Sequence, residues 1–161
     1  MPILHIQFSG QHKALDGTLS QVPSPIVLRD RGPCIQVTIN IAETIAEQLV
    51  QQGKPVPPPV SGMALVDSGA SSTCIDDGLA QRLGVPAIDV VQVSSASHAA
   101  TLQNVYPIRI EVVGTGIKVN VPRAIGAALD PQGIIALIGR DFLQHCTLFY
   151  NGVTGEITLS I

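Results

Sequence analysis

The chain has 161 residues, 45% of them hydrophobic and 13% charged, with a formal net charge of −3. That is enough apolar chain for one core of ordinary size and too little charge for a disordered polymer. The negative balance, 3% aromatic content and absence of Trp argue against a nucleic-acid binder, which needs a basic face or stacking platforms. No apolar run is long enough for a membrane-spanning helix. The first residues, Met1-Pro2-Ile3-Leu4-His5-Ile6, lack the basic segment and apolar core of a signal peptide. Cys34, Cys74 and Cys146 are odd in number and lack Cys-x-x-Cys spacing. They read as reduced, mostly buried thiols of a cytoplasmic protein.

Residues 3–8 alternate weakly and predict a strand. Residues 9–25 are polar, with Asp16-Gly17 as a turn signal, and predict a long loop or a hairpin. In residues 34–41, Ile35, Val37, Ile39 and Ile41 share one face, which predicts a half-buried strand. Ala42, Ile45, Ala46, Leu49 and Val50 then follow helical spacing, with Gly53 placed to end the helix. Residues 54–59, Lys-Pro-Val-Pro-Pro-Pro, predict a stiff extended connector. Residues 63–66 and 73–75 are short strands around a polar loop. Asp76 or Asp77 can cap a helix that ends at Gly84. Strands follow at residues 88–93 and 102–113 around a small-residue tip, residues 94–98. Another strand is predicted at residues 117–121, then a loop at 126–132 and an apolar strand at 134–138. The chain closes on a hairpin, residues 146–150 and 156–161, around Asn151-Gly152. Many short strands punctuated by turns indicate an all-β, barrel-like domain.

Two motifs carry the chemistry. Ala64-Leu65-Val66 runs into Asp67-Ser68-Gly69-Ala70, and far downstream stands Ala136-Leu137-Ile138-Gly139-Arg140-Asp141-Phe142-Leu143. A carboxylate at the end of a buried strand is costly without a partner. The Ser-Gly that follows makes a tight turn that presents it at a cleft surface. Asp-Ser-Gly alone is also ordinary turn sequence; the second motif, in the right order and at plausible spacing, decides for chemistry.

This combination resembles the retropepsin-like aspartic proteases, the single-lobe relatives of pepsin, from about residue 33 to residue 161. The resemblance implies an all-β closed barrel, one lobe per chain, with short helices. It implies one domain over residues 1–161, with an N-terminal extension (about 1–32) and an inserted helix and Pro-rich connector (about 42–59) where the family has a short hairpin turn. The extension could be a regulatory segment, a removable pro-segment or part of the barrel. The resemblance also implies an aspartic endopeptidase. Its catalytic residue is Asp67, which pairs with Asp67 of a second copy because the chain holds only one Asp-Ser-Gly. Ser68 would hydrogen-bond across the base of the site, Gly69 would admit the substrate backbone, and Ala70 and Ser71 would line the cleft. Arg140 would support the loop. Its family partner, an Asp, is Ser71 here, so a backbone carbonyl or another carboxylate takes that place. Residues 88–113 match the family's flap in order, although its tip is not Gly-rich. The terminal strand, with Ile157, Leu159 and Ile161 on one face, would interleave across the two-fold axis. The partners implied are a polypeptide substrate and a second copy of the chain; no cofactor, metal, nucleic acid or membrane is called for.

Other residues have plainer readings. Asp76, Asp77 and Asp141 serve helix ends. His98 is a solvated loop residue. His5, His12 and His145 show no metal-ligand spacing. Cys74 is a small buried hydrophobe rather than a nucleophile. Ser71 and Ser72 lack a nucleophile elbow, and Gly114-Thr115-Gly116 is a turn. One reading of a different class stands beside the enzyme: the same fold used as a catalytically weak or inactive dimerisation or peptide-binding module.

Overall fold

The computed structural model describes the backbone of residues 1–95 and 98–161, and the side chains of residues 1–94 and 100–161. The elements in chain order are β1 (Ile3–Gln7), β2 (Gly10–Lys13), β3 (Leu19–Val22), α1 (Ser24–Arg31), β4 (Cys34–Ile41), α2 (Glu43–Gln51), β5 (Val60–Val66) and β6 (Cys74–Asp76). There follow α3 (Asp77–Arg82), β7 (Asp89–Ser95), β8 (His98–Val112), β9 (Lys118–Ala127), β10 (Ala136–Ile138), α4 (Arg140–Leu143), β11 (Thr147–Asn151) and β12 (Glu156–Ser160).

The alternation seen in the sequence closes a barrel. β4 buries Ile35, Val37, Ile39 and Ile41 on one face, as its pattern predicts. It pairs antiparallel with β5 on one edge and with β8 on the other. The ring is completed through β10, β6 and β9, giving six strands in the order β4-β5-β10-β6-β9-β8 and back to β4. A closed ring leaves none of its six strands with a bare edge. β7 hangs on β8 outside the ring as the expected hairpin. The tip residues 96 and 97, and the side chain of His98, lie outside the described residues.

β10 sits between β5 and β6, parallel to the first and antiparallel to the second. The chain therefore leaves the barrel at Val66, loops over the end of β10 and returns at Cys74. This crossing holds the candidate site, because the loop can be gripped from below by whatever follows β10.

The N-terminal segment is built into the fold. β1 pairs with β12 over five residues, and Phe8, Val27 and Leu28 belong to the same core cluster as the barrel. Residues 10–22 form a hairpin around the predicted turn, where Thr18 N donates to Asp16 Oδ1 at 2.9 Å. α1 has no counterpart among the predicted elements. Its two buried residues, Val27 and Leu28, are adjacent rather than three or four apart, so no helical stripe appears in the sequence. α2 is the predicted inserted helix, and Ile45, Ala46 and Leu49 pack against the core. Val50, expected on the same face, is 64% exposed.

The chain end differs from the expectation. The resemblance puts the apolar face of the terminal strand in an intermolecular sheet. Instead β12 is the central strand of a three-stranded sheet within one chain, flanked by β1 and β11. Ile157 and Leu159 are 0% exposed there. The long N-terminal segment is the physical reason: it supplies the strand that covers one edge of β12. The predicted terminal hairpin does form, β11 pairing with β12 around Asn151-Gly152. Asn151 pairs with Glu156, and the Asn151 side chain accepts from the backbone N–H groups of Val153 (3.1 Å) and Thr154 (3.3 Å).

Candidate active site

Asp67 follows directly on β5. Ala64 and Val66 point into the core, so the strand's alternation turns Leu65 and Asp67 to the other side. Asp67 N donates to Ile138 O at 2.9 Å, which pins the residue over the end of β10. Its Oδ1 accepts from Gly69 N at 2.8 Å. Ala70 N donates back to Asp67 O at 3.2 Å, closing the tight turn that Ser68-Gly69 predicts. A Cβ on Gly69 would stand 3.0 Å from Asp67 Oδ1, so a larger residue there crowds the carboxylate.

α4 grips this loop from below. Arg140 N donates to Ala70 O at 3.0 Å and Asp141 N to Ser71 O at 3.3 Å. The Arg140 guanidinium donates from Nη1 to Ser68 O at 2.9 Å and to Gly69 O at 2.8 Å. Of the two partners open to Arg140 in the sequence, the backbone carbonyls are the ones it holds. Arg140 thus fixes the peptide planes on which Asp67 depends. Ser68, Gly69 and Ser71 are exposed and Ala70 is half-buried. Among the described residues the Ser68 hydroxyl makes no hydrogen bond within the chain; its carbonyl, not its side chain, is engaged.

Thr73 and Asp141 tie the loop shut. Thr73 is fully buried. Its hydroxyl donates to Asp141 Oδ1 at 2.6 Å and accepts from Gly139 N at 3.1 Å. The Asp141 carboxylate also accepts from Thr73 N at 2.9 Å and from Phe142 N at 2.9 Å. Asp141 does serve the short helix, and it also bolts that helix to the returning end of the Asp67 loop. The available signal was a hydroxyl residue at the start of a buried strand, which requires a partner. Gly139 lies where the two segments cross. A Cβ there would come within 2.4 Å of the Ser72 carbonyl carbon and 2.8 Å of Thr73 N, so only glycine allows the approach.

Cys74 comes next in the chain. Burial pushes its thiol up to about 11, and the charges of Asp141 and Asp67 add to the effect. Such a thiol stays protonated near neutrality and is no nucleophile. Burial likewise raises Cys34 and Cys146. Asp76 caps α3 by accepting from Leu79 N at 2.9 Å, and it accepts from Leu129 N and Asp130 N as well. Asp77 instead holds the Tyr106 hydroxyl at 2.6 Å and Gln81 Nε2 at 2.6 Å. Neither reaches the Asp67 loop.

A cleft of about 560 Å³ lies between this loop and the β7–β8 hairpin. Ser71, Ser72 and Asp141 border it on one side and Val91, Val93 and Ser94 on the other. Among the described residues no group of three or more His, Cys, Asp or Glu side chains could hold a metal ion. No helix among the described residues is long and apolar enough to cross a membrane.

Comparison with known proteins identifies the family. Residues 60–145, more than half of the chain and the whole span from β5 through α4, match the family described as "gag-polyprotein putative aspartyl protease". No curated protein matches the chain. Among solved structures, a retropepsin-like aspartic protease from Rickettsia conorii aligns at 16% identity over 98% of this chain and 90% of its own, with a TM-score of 0.45. Simian foamy virus (mac) protease aligns at 18% identity over 70% of this chain and 92% of its own, with a TM-score of 0.43. The retroviral protease-like domain of Ddi1 from Leishmania major aligns at 18% identity over 73% of this chain and 80% of its own, with a TM-score of 0.39. With its Asp-Ser-Gly loop mounted over β10 and locked by Gly139-Arg140-Asp141, and with the family match spanning both motifs, the chain belongs to the retropepsin-like aspartic protease family.

Proposed function

We propose that the chain is an aspartic endopeptidase that works as a homodimer, with Asp67 of each copy meeting at a two-fold axis. The observation that carries this reading is the mounting of Asp67. It is half-buried and held by a backbone N–H, on a loop whose far end, Ser71-Ser72, borders the cleft, and a second set of bonds is spent on keeping that loop rigid. A turn residue without chemistry needs no such support. The chain holds one such carboxylate, so symmetry has to supply the other. Two carboxylates so close share a proton. The charged one takes a proton from water as that water attacks the peptide carbonyl, and the neutral one protonates the carbonyl oxygen; the proton taken from water then passes to the departing amine, while the carboxylate left charged recovers a proton from a hydroxyl of the diol as the C–N bond breaks. Ser68, Gly69, Ala70 and Ser71 present the substrate-facing surface, and Arg140 positions it.

The substrate is a polypeptide, and the compartment is the reducing cytoplasm, in keeping with three free, raised thiols. Residues 1–161 act as one domain, because the N-terminal segment and the barrel share a core. The second copy needs a surface other than the edges of β12, both of which are paired within the chain. The outer face of the terminal sheet offers one: Ile3 is 52% and Phe149 60% exposed.

The internal pairing of β12 also favours a second reading, a binding module that never forms the dyad. A peptide-library digest separates the two. The enzyme cleaves, and Asp67→Asn abolishes cleavage while the fold and dimer persist. Binding without cleavage by the wild-type chain would establish the module.

A further inference from the structure

A second cavity, about 600 Å³, opens on the same side of β5 as Asp67. Met63, Leu65 and Asp67 alternate outward along this strand and its exit, while Ala64 and Val66 point inward. Met63 and Leu65 line the cavity with Ile134. The facing wall comes from the N-terminal segment, through Phe8 and Val27, with Arg31 at its rim.

That wall is anchored. Phe8 N donates to Gly155 O at 3.0 Å. α1 starts against the same turn, where a Cβ on Gly155 would come within 2.2 Å of the Ser24 carbonyl carbon. The interior is apolar, whereas the rim is charged. Asp30 is taken by Arg29, Nε to Oδ1 at 2.8 Å. Asp30 and Arg31 both line the cavity; with Asp30 held by Arg29 and Arg31 in no ion pair among the described residues, Arg31 is the unpaired charge at the mouth.

We propose that this groove is a specificity pocket for the polypeptide substrate and that the N-terminal segment, through Phe8, Val27 and Arg31, selects what enters it. The occupant is an extended stretch of substrate that places a large apolar side chain against Leu65, Met63 and Phe8. It places an acidic side chain two residues away, on the same side of the extended chain, against Arg31. Continuity with Asp67 along β5 argues for substrate, and the uncompensated Arg31 argues for the acid. The inference rests on the protease reading for its consequence, not for its test. On this account the segment 1–32 is a permanent wall of the site and not a removable pro-segment.

The test is selection of a random peptide library for binding to the Asp67→Asn protein, beside cleavage of the same library by the Asp67 chain. Bound peptides should be enriched for a large apolar residue with Asp or Glu two positions away. Arg31→Glu should reverse the charge preference, by about tenfold or more in relative enrichment. Met63→Trp, at a position 40% exposed where bulk does not disturb the core, should shift the apolar preference to small side chains. Cleavage sites should show the same pairing. An unchanged enrichment in both variants, or none in the parent, overturns the groove whether or not the Asp67 chain cuts. Enrichment that responds to Arg31→Glu, without cleavage of any peptide, keeps the groove and removes the protease reading.

Discussion

Replacing Thr73 by valine keeps the shape of a fully buried side chain and removes its hydroxyl. Two bonds go with it. The first is the donation to the Asp141 carboxylate at 2.6 Å, of the charge-assisted kind worth about 1.5–3 kcal/mol. The second is acceptance from Gly139 N at 3.1 Å. Gly139 is buried under Ser72 and Thr73, with no room for water, so its N–H is stranded at a cost of about 1–3 kcal/mol. The two effects share one hydroxyl and do not simply add, which gives a loss of roughly 3–5 kcal/mol. That is a large share of the ~5–15 kcal/mol that stabilises a domain. At about 2–4 °C per kcal/mol for a chain of this size, the midpoint should fall by roughly 6–20 °C. Urea and thermal unfolding of wild type, Thr73→Val, Asp141→Asn and the double variant measure it. The two single changes should be strongly non-additive, with a coupling of about 1–3 kcal/mol. Because Thr73 closes the loop that carries Asp67, proteolytic rate should fall further than the folded fraction does. A Thr73→Val loss under about 1 kcal/mol, or additive effects, would show that the loop is not held as described.

Gly139→Ala should be costlier than an exposed glycine change. Its Cβ meets backbone at 2.4–2.8 Å, and overpacking of this kind costs about 1–3 kcal/mol; chemical denaturation and peptide cleavage read the loss of stability and activity together. Burial alone would raise Asp76, but the N–H groups of Leu79, Asp130 and Leu129 and the charge of Arg82 outweigh it and hold the carboxyl below its ordinary 3.8. A depressed carboxyl contributes stability above its unfolded pKa and loses it as pH falls through the folded one. The stability gap between wild type and Asp76→Asn should therefore be full near neutrality and shrink below pH 3.8, as followed by unfolding across an acid pH series. Phe149→Glu, placed on the outer face of the terminal sheet where Phe149 is 60% exposed, should leave the monomer folded and weaken the dimer, read by sedimentation against concentration.

Deleting residues 157–161 does not test assembly, although the terminal alternation invites it. Ile157 and Leu159 are core residues of the central strand of their own sheet, and their loss would unfold the chain. The alternation of Ile157 and Leu159 is legible in the sequence, but which chain covers that face is not. Coverage depends on β1 from the opposite end of the chain, and periodicity carries no information on pairing at such separation.

β4 and the loop around Asp67 were legible for local reasons. Ile35, Val37, Ile39 and Ile41 repeat at the strand period, and Asp-Ser-Gly specifies its own turn. α2 was legible because Ile45, Ala46 and Leu49 repeat at the helical period, and Val50 missed the core because a nine-residue helix resting on a barrel buries only a narrow stripe. The Thr73–Asp141 bond joins residues 68 positions apart, and nothing near either one announces it. α1 was hidden because its buried pair is consecutive; Pro25 at its start, Arg29 and Arg31 in its last turn and Gly32 just after it were the local clues.

In the proposed homodimer one working site takes Asp67 from two chains. Mixing wild type with Asp67→Asn at constant total concentration, after subunits have exchanged, tests it directly. If the dyad is shared, every mixed dimer is dead and activity falls as the square of the wild-type fraction, to about a quarter at an equal mixture. A linear fall, to about half, would mean that each chain works alone and would contradict the account.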